Sequence, residues 1–199
     1  RVASLCECEK TLGSRFFDVR AQRHSGTRLS EAASVWVARE LACRWAPAMV
    51  RPRLKAVVVD LDNTLYEGVL GEDGATGVRM NESHLALQQE LVSLRESGVF
   101  LALVSRNEET DVKKLFEQRP DLPLRLEHFS ATAINWDAKA ENLRRIAREL
   151  RIGEDSIVFM DDNPGELASV ATAIPSVHTL HALPDAELTR RALAYYPGL

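Results

Sequence analysis

The sequence has few cysteines, no long hydrophobic segment and no excess of positive charge. Its three cysteines, Cys6, Cys8 and Cys43, lie in the first quarter of the chain and cannot form an even disulfide framework, which indicates a reducing, cytoplasmic location. No run of about 18 apolar residues occurs and no signal peptide is visible, so we expect no membrane partner. A net charge of −4 argues against a nucleic-acid partner.

The chain is long enough for one domain of ordinary size with an appendage, since it has 199 residues and 45% of them are hydrophobic. Residues 1–54 are predicted to form an N-terminal extension with one amphipathic helix at 30–45, capped by Ser30, and a proline-containing linker at 46–53. Residues 55–199 are predicted to form the catalytic domain. Because the chain begins at Arg1, we expect it to be part of a larger protein.

From residue 55 onward, apolar segments of strand length alternate with helical segments. The predicted strands are 55–60, 99–105, 124–131, 156–162 and 176–180, and the predicted helices are 81–98, 108–118, 138–152, 165–173 and 185–194. Three of these strands are apolar on both faces, as in a buried parallel sheet. The alternation predicts an α/β fold: a three-layer, Rossmann-like parallel sheet with helices on both faces.

Chemically active residues follow the predicted strands at the edge where parallel sheets bind ligands. They are Asp60 and Asp62 after the first strand, Ser105 at the end of the second, Asp161 and Asp162 at the end of the fourth, and Lys139 at the start of the preceding helix. A single aspartate at a strand end commonly caps a helix or pairs with an arginine. Two acidic pairs at separate strand ends indicate a functional site.

The acidic pairs predict a magnesium site. Several carboxylates at close range repel each other unless a cation compensates their charge. Ligand sets made only of oxygen suit Mg²⁺, which takes one or two carboxylates together with waters and a substrate phosphate. We expect Mg²⁺ to contact Asp60 and Asp161 through carboxylates, Asp62 through its backbone carbonyl, and Asp162 directly or through water.

The same residues can divide the work of phosphoryl transfer. Asp60 can attack phosphorus and form an aspartyl phosphate, and Asp62 can protonate the leaving group and then activate water. Lys139 offers positive charge to the nucleophile and the transferring group. Ser105 can donate to the phosphoryl group or cap the next helix, and Asn107 can cap that helix instead.

Four residues are predicted to contact the substrate, namely Thr64, Arg106, Asn107 and Asn163. Thr64 can bond either a phosphoryl oxygen or the turn that contains it.

This set of residues resembles the haloacid dehalogenase-like (HAD-like) superfamily of phosphatases. Its four motifs occur in order: "DLDNT" at 60–64, "VS" ending at Ser105, Lys139, and "DD" at 161–162. The resemblance implies a short β-hairpin flap after the first strand and a minimal cap. It therefore implies an open active site.

A more specific resemblance is to the FkbH-like domains of polyketide pathways. It rests on "DLDNTL…GVLGEDG", "SRNEE", "INWDAKAENL" and "FMDDNPGE", and it covers about residues 33–180. It implies that a three-carbon acyl phosphate of the 1,3-bisphosphoglycerate type is dephosphorylated and its acyl unit loaded onto the phosphopantetheine arm of an acyl carrier protein. Neighbouring synthase domains would then be further partners.

One departure from the FkbH-like pattern concerns the route of acyl transfer. Many members have a cysteine before the motif serine, where this chain has Val104. Direct transfer to the carrier thiol, or a different product, is then open. Two alternatives also stay open: a simple phosphatase of a small phosphate ester, and a non-catalytic domain that docks a carrier protein or a neighbouring domain.

Overall fold

Most of the predicted catalytic residues lie at or just beyond the ends of strands of one parallel sheet. The computed structural model describes residues 5–46 and 54–199, and within them five strands pair in the order β3–β2–β1–β4–β5. They are β1 Ala56–Val59, β2 Phe100–Ser105, β3 Ala131–Ile134, β4 Ile157–Asp161 and β5 His178–His181. Every pairing is parallel. The chain moves outward from β1 to β3 and then returns to the other side, so the topological switch point lies between β1 and β4.

Helices cover both faces of this sheet, which confirms the predicted three-layer α/β fold. They are α4 Leu70–Gly77, α5 Glu82–Glu96, α6 Glu109–Gln118, α7 Lys139–Leu150, α8 Pro164–Ala173 and α9 Ala186–Ala194. Single 3-10 turns occur at Leu126–His128 and Glu154–Ser156.

Alternate residues of the strands face two separate cores. Val57 and Val59 of β1 belong to a core that includes Leu87 and Leu91 of α5. Ala56 and Val58 belong to the other core, with the buried side of α7 and α8. The side chains of the central strand are therefore buried on both faces, which explains its continuous run of small and β-branched apolar residues. Val104 of β2 is 1% exposed in the second core.

The third strand lies later in the chain than the sequence indicated. Residues 124–131 were predicted as a strand, but β3 is Ala131–Ile134 and part of the earlier segment forms the turn Leu126–His128. Arg125 N donates to His128 Nδ1 at 3.1 Å, so a polar side chain of the alternating segment closes this turn. The alternation of apolar and polar residues in this segment therefore belongs to a turn that buries Leu124, and not to a paired strand.

Only one antiparallel bridge of the predicted β-hairpin flap is present in the described residues. Glu67 and Arg79 form one antiparallel bridge, with backbone hydrogen bonds of 2.8 and 2.9 Å, and helix α4 replaces the two hairpin strands beyond it. Gly68 enters the flap with φ +120°, where a Cβ would lie 2.6 Å from Asp73 Oδ2. That oxygen accepts from Val69 N at 2.8 Å and so fixes the start of α4.

The chain divides into two compact units. One contains the described residues up to 46 with Tyr195–Gly198, and the other contains residues 54–194 with Leu199. The first unit holds α1 Cys6–Leu12, α2 Val19–Ser25 and α3 Glu31–Glu40, followed by a π-helical turn at Leu41–Trp45. The prediction of one helix in this extension was therefore wrong, because α1 and α2 are too short to show a clear period.

The capping prediction in this unit is confirmed, since the Ser30 hydroxyl accepts from Ala33 N at 3.1 Å. The predicted linker at 46–53 lies outside the described residues except for Ala46, and the domain boundary near residue 54 stays a prediction. Among the described residues, no helix combines the length and the apolar character needed to cross a membrane.

Candidate active site

The parallel sheet brings two of the predicted aspartates side by side. Asp60 directly follows β1, and Asp161 ends the neighbouring strand β4. Asp60 N donates to Met160 O at 2.9 Å, so the backbone hydrogen bonds between β1 and β4 continue to the predicted nucleophile. Asp60 is 5% exposed and Asp161 is fully buried. The two acids are held by the backbone rather than by a flexible loop.

Lys139 is the cation that joins these acids. As the first residue of α7, it places Nζ 2.9 Å from Asp60 Oδ1 and 2.5 Å from Asp161 Oδ2. Burial alone would lower the pKa of Lys139, but the charges of Asp60 and Asp161 outweigh burial and raise it. The lysine is therefore a charged, desolvated group beside the predicted nucleophile.

A set of carboxylates at this edge fits a metal ion. Asp60, Asp161 and Asp162 each offer an oxygen, and these oxygens lie within 4.8 Å of one another. Burial, followed by the charge of Asp161, outweighs the effect of Lys139 and raises the pKa of Asp60 to about 7. Burial and Asp161 also raise the pKa of Asp162. A second cation would relieve this repulsion, and an all-oxygen, anionic donor set suits Mg²⁺.

The side chain of Asp62 does not belong to this carboxylate cluster and takes part in a separate hydrogen-bond network. Its Oδ1 accepts from the Tyr66 hydroxyl at 2.7 Å and from Leu70 N at 2.9 Å, and its Oδ2 accepts from Asn107 Nδ2 at 2.9 Å. Leu70 is the first residue of α4, so the flap itself supplies one donor. The second aspartate is thus fixed on both oxygens, as a proton-transfer group needs to be, and its predicted metal contact involves only its backbone carbonyl.

Ser105, Asn107 and Asp62 are connected by hydrogen bonds. Ser105 is 1% exposed and Asn107 5% exposed, and Asn107 Nδ2 donates to Ser105 Oγ at 2.9 Å as well as to Asp62. Neither residue caps α6, whose N-cap is Glu108 without a side-chain hydrogen bond. The alternative in which Ser105 or Asn107 serves as a helix cap is therefore excluded. Contact of Asn107 with the substrate stays a prediction.

The remaining predicted substrate contacts have different surroundings. Thr64 is 2% exposed, and among the described residues its Oγ1 finds no hydrogen-bond partner. Asn163 caps α8, since its Oδ1 accepts from Gly165 N at 2.8 Å and Glu166 N at 3.4 Å. Arg106 forms an ion pair with Glu166, with 2.8 Å between Nη1 and Oε1. Their substrate contacts also stay predictions.

Sequence reasoning missed two participants at this edge. Tyr66 was not among the predicted site residues, yet its hydroxyl donates to Asp62 and it is 1% exposed. A phenol four residues after an acid in a tight turn was the available signal. Nothing in the sequence around Glu166 indicated its role, because its partner Arg106 lies in the loop after β2, far away in the sequence.

The comparisons with known proteins agree at the level of the fold. No family model matches the chain, and no curated protein matches it. Among solved structures it is similar to the N-terminal part of BF1531 from Bacteroides fragilis, described as containing a phosphatase domain complexed with Mg, with 29% identity and a TM-score of 0.73. That match covers 96% of this chain but only 53% of the Bacteroides chain.

More distant structures share the fold alone. One is the D,D-heptose 1,7-bisphosphate phosphatase from B. bronchiseptica, with 10% identity, a TM-score of 0.52, and 70% and 98% of the two chains covered. Another is the hypothetical protein XCC2798 from Xanthomonas campestris, with 19% identity, a TM-score of 0.50, and 77% and 90% covered. These matches agree with the predicted fold, a three-layer, Rossmann-like parallel sheet of the HAD-like type.

Proposed function

We propose that this chain is a Mg²⁺-dependent phosphatase domain that transfers a phosphoryl group to Asp60 and then to water. The observation that carries this proposal is the Lys139 bridge between two buried aspartates, Asp60 and Asp161, beside Asp162. Burying this many acids is costly unless cations pair with them, and a purely structural role would be served better by apolar residues. The Bacteroides phosphatase domain, described with Mg, supports the same activity.

The residues have distinct roles in the proposed reaction. A carboxylate oxygen of Asp60 attacks phosphorus, the bond to the leaving-group oxygen breaks, and Asp62 gives that oxygen its proton. Asp62 then takes a proton from the water that releases phosphate from Asp60. Lys139 favours the ionised form of the nucleophile, and Ser105 donates to the transferring group. Mg²⁺, held by Asp60, Asp161 and Asp162, would neutralise charge on the phosphoryl oxygens.

The finer proposal is an FkbH-like role. The carrier thiol attacks the acyl carbon of a three-carbon acyl phosphate and displaces phosphate, while the remaining phosphate ester is hydrolysed through Asp60. Its support is the sequence resemblance in four segments and the small size of the flap, since α4 is the only helix that the described residues insert between β1 and α5. A long phosphopantetheine arm needs such an uncapped sheet edge. Because valine has no thiol, this route proceeds without a thioester at residue 104, whose side chain is packed in the core.

The phosphatase proposal is tested with p-nitrophenyl phosphate. We expect phosphate release with Mg²⁺, loss of release in EDTA, and recovery when Mg²⁺ is added back. Full activity in chelator would contradict the proposal.

Carrier loading is tested separately by weighing a holo carrier protein after incubation with this chain, Mg²⁺ and 1,3-bisphosphoglycerate. A mass increase equal to a glyceryl thioester would support the finer proposal. Phosphatase activity with no change in carrier mass would support the simple phosphatase instead.

A further inference from the structure

An ion pair connects the two loops on either side of the nucleophile strand. Arg106 follows the last residue of β2, and Glu166 lies in the first turn of α8, directly after β4. In the sheet β1 lies between β2 and β4, and it leads to Asp60. The contact of 2.8 Å between Arg106 Nη1 and Glu166 Oε1 therefore spans the carboxyl end of β1.

The two partners differ in burial. Glu166 is anchored, since its side chain is 16% exposed and it belongs to a helix that begins with Pro164 and is capped by Asn163. The Arg106 side chain is 43% exposed. A surface ion pair of this kind adds little stability, typically about 0–1 kcal/mol. Its more useful consequence is to fix the direction of an exposed guanidinium.

Among the residues that the structure describes, Glu166 is the one partner of the Arg106 guanidinium, which leaves donors for a ligand. A guanidinium carries five N–H donors in a planar fork that matches phosphate and carboxylate groups, and Glu166 contacts it through Nη1. The neighbouring edge is rich in acids, with Asp60, Asp161 and Asp162 clustered there. A second anionic group on a substrate would be repelled by these carboxylates, so it needs a cation displaced to one side, where Arg106 lies.

We propose that Arg106 determines specificity by binding a second anionic group of the substrate, a phosphate or carboxylate remote from the phosphoryl group that is transferred, and that Glu166 is the positioning residue for Arg106. The inference rests on the proposed function in that it requires a phosphorylated substrate at Asp60. It predicts that compounds with two anionic groups bind more tightly than simple monoesters, which the site still accepts.

The test compares a matched pair of compounds, propane-1,3-diol bisphosphate and propane-1,3-diol monophosphate, with 2-phosphoglycolate as the carboxylate case. Binding is measured by calorimetry and turnover by phosphate release, both with Mg²⁺. We expect wild-type protein to prefer the bisphosphate, and Arg106→Gln to reduce that preference by about ten- to a hundred-fold, the range of one charge-assisted hydrogen-bonding contact. 2-Phosphoglycolate shows whether a carboxylate can replace the second phosphate.

Two variants separate positioning from a merely structural effect. Glu166→Gln should raise KM for the bisphosphate more than it changes kcat, and Arg106→Lys should restore only part of the preference because it keeps the charge but not the fork. Arg190→Gln, which removes an ion pair of 2.7 Å within α9, is the control and should leave the preference unchanged. Thermal melting verifies that each variant folds.

An unchanged preference in Arg106→Gln would overturn the role of Arg106. A lower KM in Glu166→Gln would overturn positioning, because it would show that Glu166 competes with the ligand. If wild-type protein binds the bisphosphate preferentially but releases no phosphate, the phosphatase proposal fails while this inference stands.

Discussion

Replacing Lys139 with methionine tests whether one buried lysine holds the acidic site together. Lys139 is 6% exposed and contacts both Asp60 and Asp161 at hydrogen-bonding distance. Methionine keeps most of the side-chain volume but removes the charge. Both carboxylates then stay buried without their cation, while the packing around the stem changes little.

The expected loss of stability follows from the geometry of this bridge. Removing one partner of a buried ion pair costs about 3–5 kcal/mol, because the other charge stays desolvated. For a chain of this size, about 1 kcal/mol corresponds to roughly 2–4 °C in the melting temperature. We therefore expect Lys139→Met to lower the melting temperature by about 6–20 °C in metal-free buffer.

The assay is thermal melting in EDTA and in Mg²⁺. Lys113→Met is the matched control. Lys113 is half exposed, and its one ion pair within residues 5–46 and 54–199 is with Glu109 at 2.7 Å, so its loss should cost less than about 1 kcal/mol. Mg²⁺ should return part of the stability of Lys139→Met, because an ion that binds only the folded state stabilises it. A melting temperature of Lys139→Met within about 2 °C of wild type in EDTA would refute the reasoning.

Three further changes test other contacts of the site and fold. Asn107→Ala should lower kcat for p-nitrophenyl phosphate about ten- to a hundred-fold, since it removes the side-chain donor to Asp62 Oδ2, one of three described donors to this carboxylate. An unchanged kcat would show that this donor is dispensable. Thr64→Val should leave the melting temperature equal or higher, because the buried hydroxyl has no described partner; a fall of several degrees would reveal one. Burial lowers the pKa of His84, so the stability that its neutral ring gives to the cap with Asn81 is present above the unfolded pKa of about 6.5 and declines as pH falls through the folded pKa. Between pH 7.5 and pH 5.5 the melting temperature of His84→Gln should therefore fall less than that of wild type, and an equal fall would contradict this.

The strands that lead to the proposed catalytic acids could be predicted, because each changes from buried apolar residues to an aspartate at a single position. β1 and β4 are apolar on both faces and stop at Asp60 and Asp161, so their ends are marked in the sequence itself. β3 lacks such a mark. It is an edge strand whose inward residues are Ala131 and Ala133, and small side chains give a weak hydrophobic pattern.

The missed parts of the site depend on contacts between segments that are distant in sequence. Asn107 was predicted at the site, but its bridge between Ser105 and Asp62 requires the ends of β1 and β2 to be adjacent, which only the sheet order provides. The pairing of Arg106 with Glu166 likewise follows from the position of β1 between their strands. The sequence pattern predicts which residue types lie at the strand ends. It does not predict their hydrogen-bond partners, because these depend on the order of the strands in the sheet.

The most direct test of the central claim is to trap the phosphoryl group on Asp60. Asp62→Asn should slow release of the intermediate by roughly 10²–10⁴-fold, the usual contribution of a proton-transfer group. Rapid acid quenching of that variant with p-nitrophenyl phosphate and Mg²⁺, followed by peptide mass mapping, should place one phosphoryl group on Asp60, and none in EDTA or in Asp60→Asn. Turnover by wild-type protein with no phosphorylated peptide in Asp62→Asn and with near-native activity in Asp60→Asn would contradict the account.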